Sequence, residues 1–385
     1  MSHDAILEAA CALAARARTH TDEIEAAGRL PAALVEELAR AGLFRMLVPR
    51  ALGGGEVPPE VMIRALETLA RADGVVGWCV MIGATSGLLS AYLDEDVARQ
   101  VYGDPAAIMS GVLVPMGKAV DAGEHYRVSG RWSFASGVEV AGYRVGGVVM
   151  MNEAGTLLSD TGAPVIRYVV LRAEQTRIAG VRSGGGARGT RGPDMIAEEA
   201  VVPKRLSVSF PGDRPRHEGP LYRLPILGVL SLGIAAVALG VAREAIGTLT
   251  ALARETSPVG STQSLAHRER VQAHVAEAEG LVRSARAFLF EATAEATESA
   301  ASRGEVREQD RALLRLAATQ ATRTSVRAVS LVYQAGGGSS IHTASSLQRH
   351  LRDVNLAAQH AVVAEGTYAI IGRALLGLGG DERLL

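Results

Sequence analysis

Cysteine is nearly missing. Cys11 and Cys79 are the only two in 385 residues. A disulfide framework is excluded, and both read as small buried apolar side chains in a reducing, cytoplasmic compartment. An excess of charge of one sign is missing too. Lys+Arg is 40 and Asp+Glu is 41, a formal net charge of −1. Nothing is left over to neutralise a phosphate backbone, so nucleic acid is not an expected partner. Charged residues make up 21% and hydrophobic residues 48%, which excludes general disorder. The first residues do not read as a secretory leader, since Asp4 stands where a basic region belongs and Glu8 interrupts the apolar stretch. P-loop, HExxH, CxxC and GxSxG are all absent, so zinc and serine hydrolase chemistry lack support. Gly184 to Gly189 (GGGARG) does spell GxGxxG, but Thr190, Arg191, Gly192 and Pro193 follow where that fingerprint needs a helix. It reads as a loop of a β-domain.

One long apolar run is present. Leu224 to Ala242 carries no charge and approaches the roughly 20 residues that cross a bilayer. It is rich in Gly and Ala, is followed at once by Arg243 and Glu244, and has no aromatic belt. A helix buried inside a bundle fits these features, so no membrane is expected.

The texture divides the chain in three. Residues 1–107 read as a helical domain, with Leu34, Val35, Leu38 and Ala41 at helical spacing and a Gly/Pro loop over Leu47 to Pro59. Residues 108–217 read as a β-domain of short strands, including Tyr126 to Phe134, Tyr143 to Met150, Val165 to Leu171 and Ile196 to Val202. Residues 218–385 read as a four-helix bundle over Leu224–Leu252, Arg268–Ala301, Arg311–Gln334 and Leu347–Leu376.

Three stretches carry chemistry. Tyr126 to Gly137 (YRVSGRWSFASG) reads either as a plain strand and turn or as a platform for a flat ring, with Ser136 able to donate and accept. Ala335 to Ser340 (AGGGSS) reads either as a flexible turn or as a backbone cradle for phosphate. Ser345 to His360 (SSLQRHLRDVNLAAQH) places Arg349 and Asp353 as an i,i+4 pair. Arg352, Asn355, Gln359 and Glu365 are expected along another line. His360 reads either as a satisfied core side chain or as the acid–base group of the chain.

Together, and in this order, the stretches resemble the acyl-CoA dehydrogenase superfamily, and more closely its flavin-dependent monooxygenase branch, the oxygenase halves of two-component aromatic hydroxylases. LVPRALGGGEVPP looks like the loop of the family's N-terminal helical domain. YRVSGRWSFASG looks like its flavin-binding strand. GARGTRGPDMIAEEAVVP is similar to a stretch commonly reading GLRGTGSxD…VFVP, and LQRHLRD with AAQH is similar to the C-terminal stretch of aromatic hydroxylases. The resemblance covers nearly the whole chain. It implies a mainly α fold with a β-barrel-like middle domain and a C-terminal four-helix bundle, assembled as a homotetramer with flavin held between subunits.

The resemblance also implies roles. Trp132, Ser133, Phe134 and Ala135 would run along the flavin ring, with Ser136 near its N5. Gly336, Gly337, Gly338 and Ser340 would approach the flavin or its phosphate from a neighbouring subunit, and Arg254 would meet phosphate. His360 would project over the flavin. The reaction implied uses reduced flavin (FMNH2 or FADH2) from a separate NAD(P)H flavin reductase, and O2, to oxidise an aromatic or other small organic substrate through a flavin C4a-hydroperoxide. Ser136 would slow loss of peroxide, and His360 would take a proton from the substrate or orient the hydroperoxide. Many dehydrogenases of the family carry a Glu in a YEGT stretch as base. Here Ala361 stands at that place, and Glu365-Gly366-Thr367 comes one helical turn late. A dehydrogenase using Glu365 is the alternative, and a flavin-free scaffold a third class.

Overall fold

The computed structural model describes residues 2–152, 154–160, 162–180, 192–210, 212–257, 262–342 and 345–379. The Gly184–Gly189 loop, Thr190 and Arg191 lie outside them.

Helices come first: α1 (His3–Thr19), α2 (Thr21–Ala27), α3 (Ala32–Arg40), α4 (Pro59–Ala72), α5 (Gly74–Ser86) and α6 (Glu95–Tyr102). The Leu34, Val35 and Leu38 stripe of α3 is buried. Helix α5 is apolar on every side, as the core element it is, and a 3-10 turn over Gly87–Ala91 continues it. Asp73 caps it: its carboxylate accepts from Val75 N at 2.9 Å and Val76 N at 3.2 Å.

Nine strands follow among the described residues. They are β1 (Met109–Asp121), β2 (His125–Trp132), β3 (Tyr143–Met151), β4 (Ser159–Asp160), β5 (Ala163–Pro164), β6 (Ile166–Arg172), β7 (Arg177–Ala179), β8 (Asp194–Pro203) and β9 (Ser207–Val208). Seven form one sheet in the order β7-β8-β2-β1-β3-β6-β9, and β4 and β5 pair separately. Within the sheet β1 and β3 are parallel and the other pairs antiparallel. Strand β6 also approaches β8, with three strands between them in the ladder, so the sheet curls on itself. Trp132 fills the hollow, fully buried, its Nε1 donating to Gly147 O at 2.7 Å. Only glycines leave room for it. A β-carbon at Gly117, Gly130 or Gly146 would lie 2.3, 2.7 or 2.7 Å from indole atoms.

The rest is helical: α7 (Pro220–Arg223), α8 (Ile226–Glu255), α9 (Glu269–Arg303), α10 (Glu308–Ala335), α11 (Ser346–Ala358) and α12 (Thr367–Leu375). Helix α8 holds the long apolar run, and the chain's own elements cover it. Leu232, Leu239 and Leu249 have no exposed surface, each burial contributing about 1.5–3 kcal/mol. Its small residues permit close approach: a β-carbon at Gly240 would meet Glu67 O of α4 at 2.5 Å.

The fourth bundle helix, expected unbroken over Leu347–Leu376, is two helices. Between α11 and α12 lies a 3-10 turn at Ala361–Val363. His360 turns extended there (φ −66°, ψ 131°), and its side chain accepts from Val362 N. A side chain that takes a backbone N–H competes with the helix for it.

Candidate functional site

Four elements meet around the break. Trp78 comes from α5, Ser136 from the loop after β2, His360 from the junction of α11 and α12, and Arg315 from α10. The Trp78 indole Nε1 donates to Ser136 Oγ at 3.2 Å. The edge of the same indole packs on the His360 ring, centroids 6.0 Å apart and planes at 60°.

The loop holding Ser136 is tied on both sides. Ala135 N donates to Pro193 O at 3.0 Å and Ser136 N to Phe134 O at 2.9 Å, while Ser110 Oγ donates to Ser136 O. Phe134 takes φ +61°, unusual for a bulky residue, and the residue is 68% exposed. Gly192 and Pro193, where the sequence departs from the family pattern, thus lie directly on this loop. The expected flat-ring platform is not an indole face. Trp132 points into the sheet's core, so any contact it makes with a flat ligand is through its main chain. Ser136 is buried, and its hydroxyl donates to no acceptor among the described residues. One lone pair is engaged by Trp78, leaving a donor for a ligand atom.

His360 is half-buried. Removal from water, then the positive charge of Arg315, holds its pKa down to about 4. It is therefore a neutral ring near pH 7. Arg315 is 3% exposed. Its Nη2 donates to Val362 O at 2.9 Å, and its Nε and Nη1 have no hydrogen-bond partner among the described residues. Burial lowers its pKa to about 10, which leaves it charged.

Glu365 stands apart. Its side chain is 82% exposed and lies 3.7 Å from Arg323. The remaining carboxylate of this stretch, Asp353, is buried against the start of α5, where a β-carbon on Gly74 would sit 3.0 Å from its Oδ2. Burial, then the neighbouring Asp73, pushes it up to about 7. The expected Arg349–Asp353 ion pair is not formed among the described residues. Arg349 instead lies 4.0 Å from Asp22, because Asp353 turns inward while Arg349 reaches α2. Of the line expected through Arg352, Asn355, Gln359 and Glu365, the first two stand on α11 and Gln359 caps it, while Glu365 lies beyond the break. Arg352 bonds Glu25 at 2.6 Å and Asn355 bonds Leu351 O at 2.7 Å.

The other expected cofactor contacts sit elsewhere. Arg254 is exposed in the last turn of α8, where a cation suits the helix dipole. Gly337 and Gly338 are exposed at the end of α10, Gly337 at φ +56°. Ser340 is different: it is fully buried and its hydroxyl donates to Tyr333 O at 2.8 Å. That hydroxyl closes α10, so a phosphate here would meet main chain and not the Ser340 side chain. Neither Arg254 nor this loop hydrogen-bonds Trp78, Ser136 or His360 among the described residues. Trp78 and Arg315 carried no signal of function in the sequence, beyond an arginine set among Leu314, Leu316 and Ala317.

Two family models match the chain: "Acyl-CoA dehydrogenase, N-terminal domain" over residues 2–100 and "Acyl-CoA dehydrogenase, C-terminal domain" over residues 232–365. An indole-3-acetate monooxygenase of Pseudomonas putida is 29% identical over 363 residues, covering 94% of this chain and 91% of that protein. The oxygenase component of an FADH(2)-dependent resorcinol hydroxylase from a Rhizobium species is 27% identical over 381 residues, covering 94% and 91%. The crystal structure of the HsaA monooxygenase from M. tuberculosis superposes with TM-score 0.90 over 100% of both chains, at 23% identity.

Proposed function

The chain belongs to the acyl-CoA dehydrogenase superfamily, and from that premise we propose that it is the oxygenase component of a two-component flavin-dependent monooxygenase acting on a small aromatic substrate. One observation carries the choice of chemistry. Buried Trp78 joins buried Ser136 to half-buried His360, while Glu365, the residue a dehydrogenase would need, faces solvent. The named substrates of the relatives, indole-3-acetate and resorcinol, are flat aromatic rings, and the reading extends that class to this chain.

Reduced flavin, when bound, supplies the electrons that let dioxygen give one oxygen atom to the substrate and the other to water. The residues present fit a flavin. The main chain is tied to Pro193 at Ala135 and to Ser110 at Ser136, and Ser136 offers an uncommitted donor beside it. Ser136 would donate a hydrogen bond to the cofactor's polar edge. His360 supplies a neutral polar ring on the other side of Trp78. Val76, Val80 and Met81, on the same helix as Trp78, are fully buried and would help keep water from the group. In this reading the chain works as a homotetramer, served by a separate NAD(P)H flavin reductase. Arg254 and Gly336–Gly338 then meet flavin bound mainly to a neighbouring copy. Exposed Ile341 (69%) and Leu376 (75%) are consistent with that assembly.

The test is direct. Purified protein, chemically reduced FMN or FAD, and an aromatic substrate are mixed with 18O-labelled dioxygen. One 18O atom in the product is expected. Oxidation of an acyl thioester, with no oxygenated product, would overturn the reading.

A further inference from the structure

Val362 lies between two side chains. Its carbonyl accepts from Arg315 Nη2 at 2.9 Å, and its N–H points back to His360 Nδ1 at 3.4 Å. A neutral imidazole has one proton. With Nδ1 facing a donor, that proton belongs on Nε2, the nitrogen left to face other partners. We propose that Arg315 is a positioning residue that, through the Val362 peptide, fixes His360 as a neutral ring with its proton on Nε2, a hydrogen-bond donor in the site and not a base.

Three features support this. Arg315 is the only residue that the structure shows hydrogen-bonding a backbone carbonyl of the Ala361–Val363 turn from another element, among the described residues. The turn interrupts what composition reads as one helix, so its geometry needs an outside tether. Burial of a guanidinium is costly, on the order of several kcal/mol, and here no carboxylate bonds to it. Its field is therefore not cancelled locally, and it disfavours a second positive charge on His360. Of the other elements packed there, α5 presents Trp78, which does not titrate. Glu365 turns away to Arg323. Burial and Arg315 are the causes that hold the pKa of His360 down.

The proposal deepens the monooxygenase reading and rests on it, but its test needs no turnover. Full-length protein with ring-15N-labelled histidine is titrated by NMR without flavin, and His360→Gln identifies the signal. An unprotonated Nδ1 and a midpoint near 4 are expected in the parent protein. Arg315→Met should raise the midpoint by about one unit or more and mix the two tautomers. Arg315→Lys keeps the charge and should hold the midpoint low, guarding against a Met variant that does not fold. A proton on Nδ1 in the parent protein, or a midpoint unmoved in a folded Arg315→Met, would overturn the proposal. Failure to oxygenate any aromatic compound would instead strike the monooxygenase reading and leave the titration standing.

Discussion

The indole N–H of Trp78 ends on the hydroxyl oxygen of Ser136, 3.2 Å away. An α-helix of the first block thereby orients a hydroxyl carried by the β-domain, and the same indole packs on His360 from the C-terminal block. The two residues singled out from distant stretches of sequence share one neighbour.

Ser136→Ala should leave the fold and reduced-flavin binding nearly intact and divert oxygen into hydrogen peroxide. Loss of one hydrogen bond of about 1–3 kcal/mol corresponds to roughly 5- to 150-fold in the rate of that side reaction. Peroxide yield per flavin oxidised is the measurement, and an unchanged yield removes Ser136 from the site.

Trp78→Phe keeps a ring in place but deletes the donor to Ser136. Peroxide release should rise by about 2- to 10-fold, the scale of one neutral hydrogen bond. Combined with Ser136→Ala, the effects should fall short of the product of the two single changes, because both act on the same bond. Full multiplicativity would show that the Trp78–Ser136 bond is not used.

His360→Ala should cut product formation by about 10²- to 10³-fold, the scale of losing one hydrogen-bond donor aimed at developing charge. Glu365→Gln should change little, since that carboxylate is exposed beside Arg323. Thermal stability measured alongside separates loss of chemistry from loss of packing. A dehydrogenase would show the reverse sensitivities.

Asp353 predicts how stability follows pH. Its folded pKa, about 7, lies above its ordinary value of 3.8. The protonated carboxyl therefore favours the folded state. That stabilisation is complete below the ordinary value and is lost as pH rises toward the folded pKa. Asp353→Asn should flatten the melting temperature across that window and raise it on the alkaline side. An unaltered pH profile would show that Asp353 is not held protonated.

Much of this was legible in the sequence. The α3 stripe, the β2, β3, β6 and β8 runs, and the first three long bundle helices follow from local periodicity, and that periodicity survives folding. The break at His360 does not follow. Residues 356–375 are mostly good helix formers, and what stops the helix is a side-chain acceptor on Val362 N and a guanidinium from α10. Trp78 was hidden for a similar reason. In a helix apolar on every side, no pattern marks which side chain faces a ligand. The Ser340 hydroxyl, whose chemistry suits phosphate, is claimed by Tyr333 O, a contact that composition does not show.

Trp132 has a consequence for how this chain can change over time. Its indole occupies volume left by Gly117, Gly130 and Gly146 on three adjacent strands. A side chain gained at any of those glycines collides with the indole, and a smaller residue at 132 opens a void, each a separate loss. The four positions are thus inherited as a block. A descendant that trades the tryptophan away must refill the hollow from the glycine side, and one that keeps it holds all three glycines, whatever substrate the neighbouring loop comes to accept.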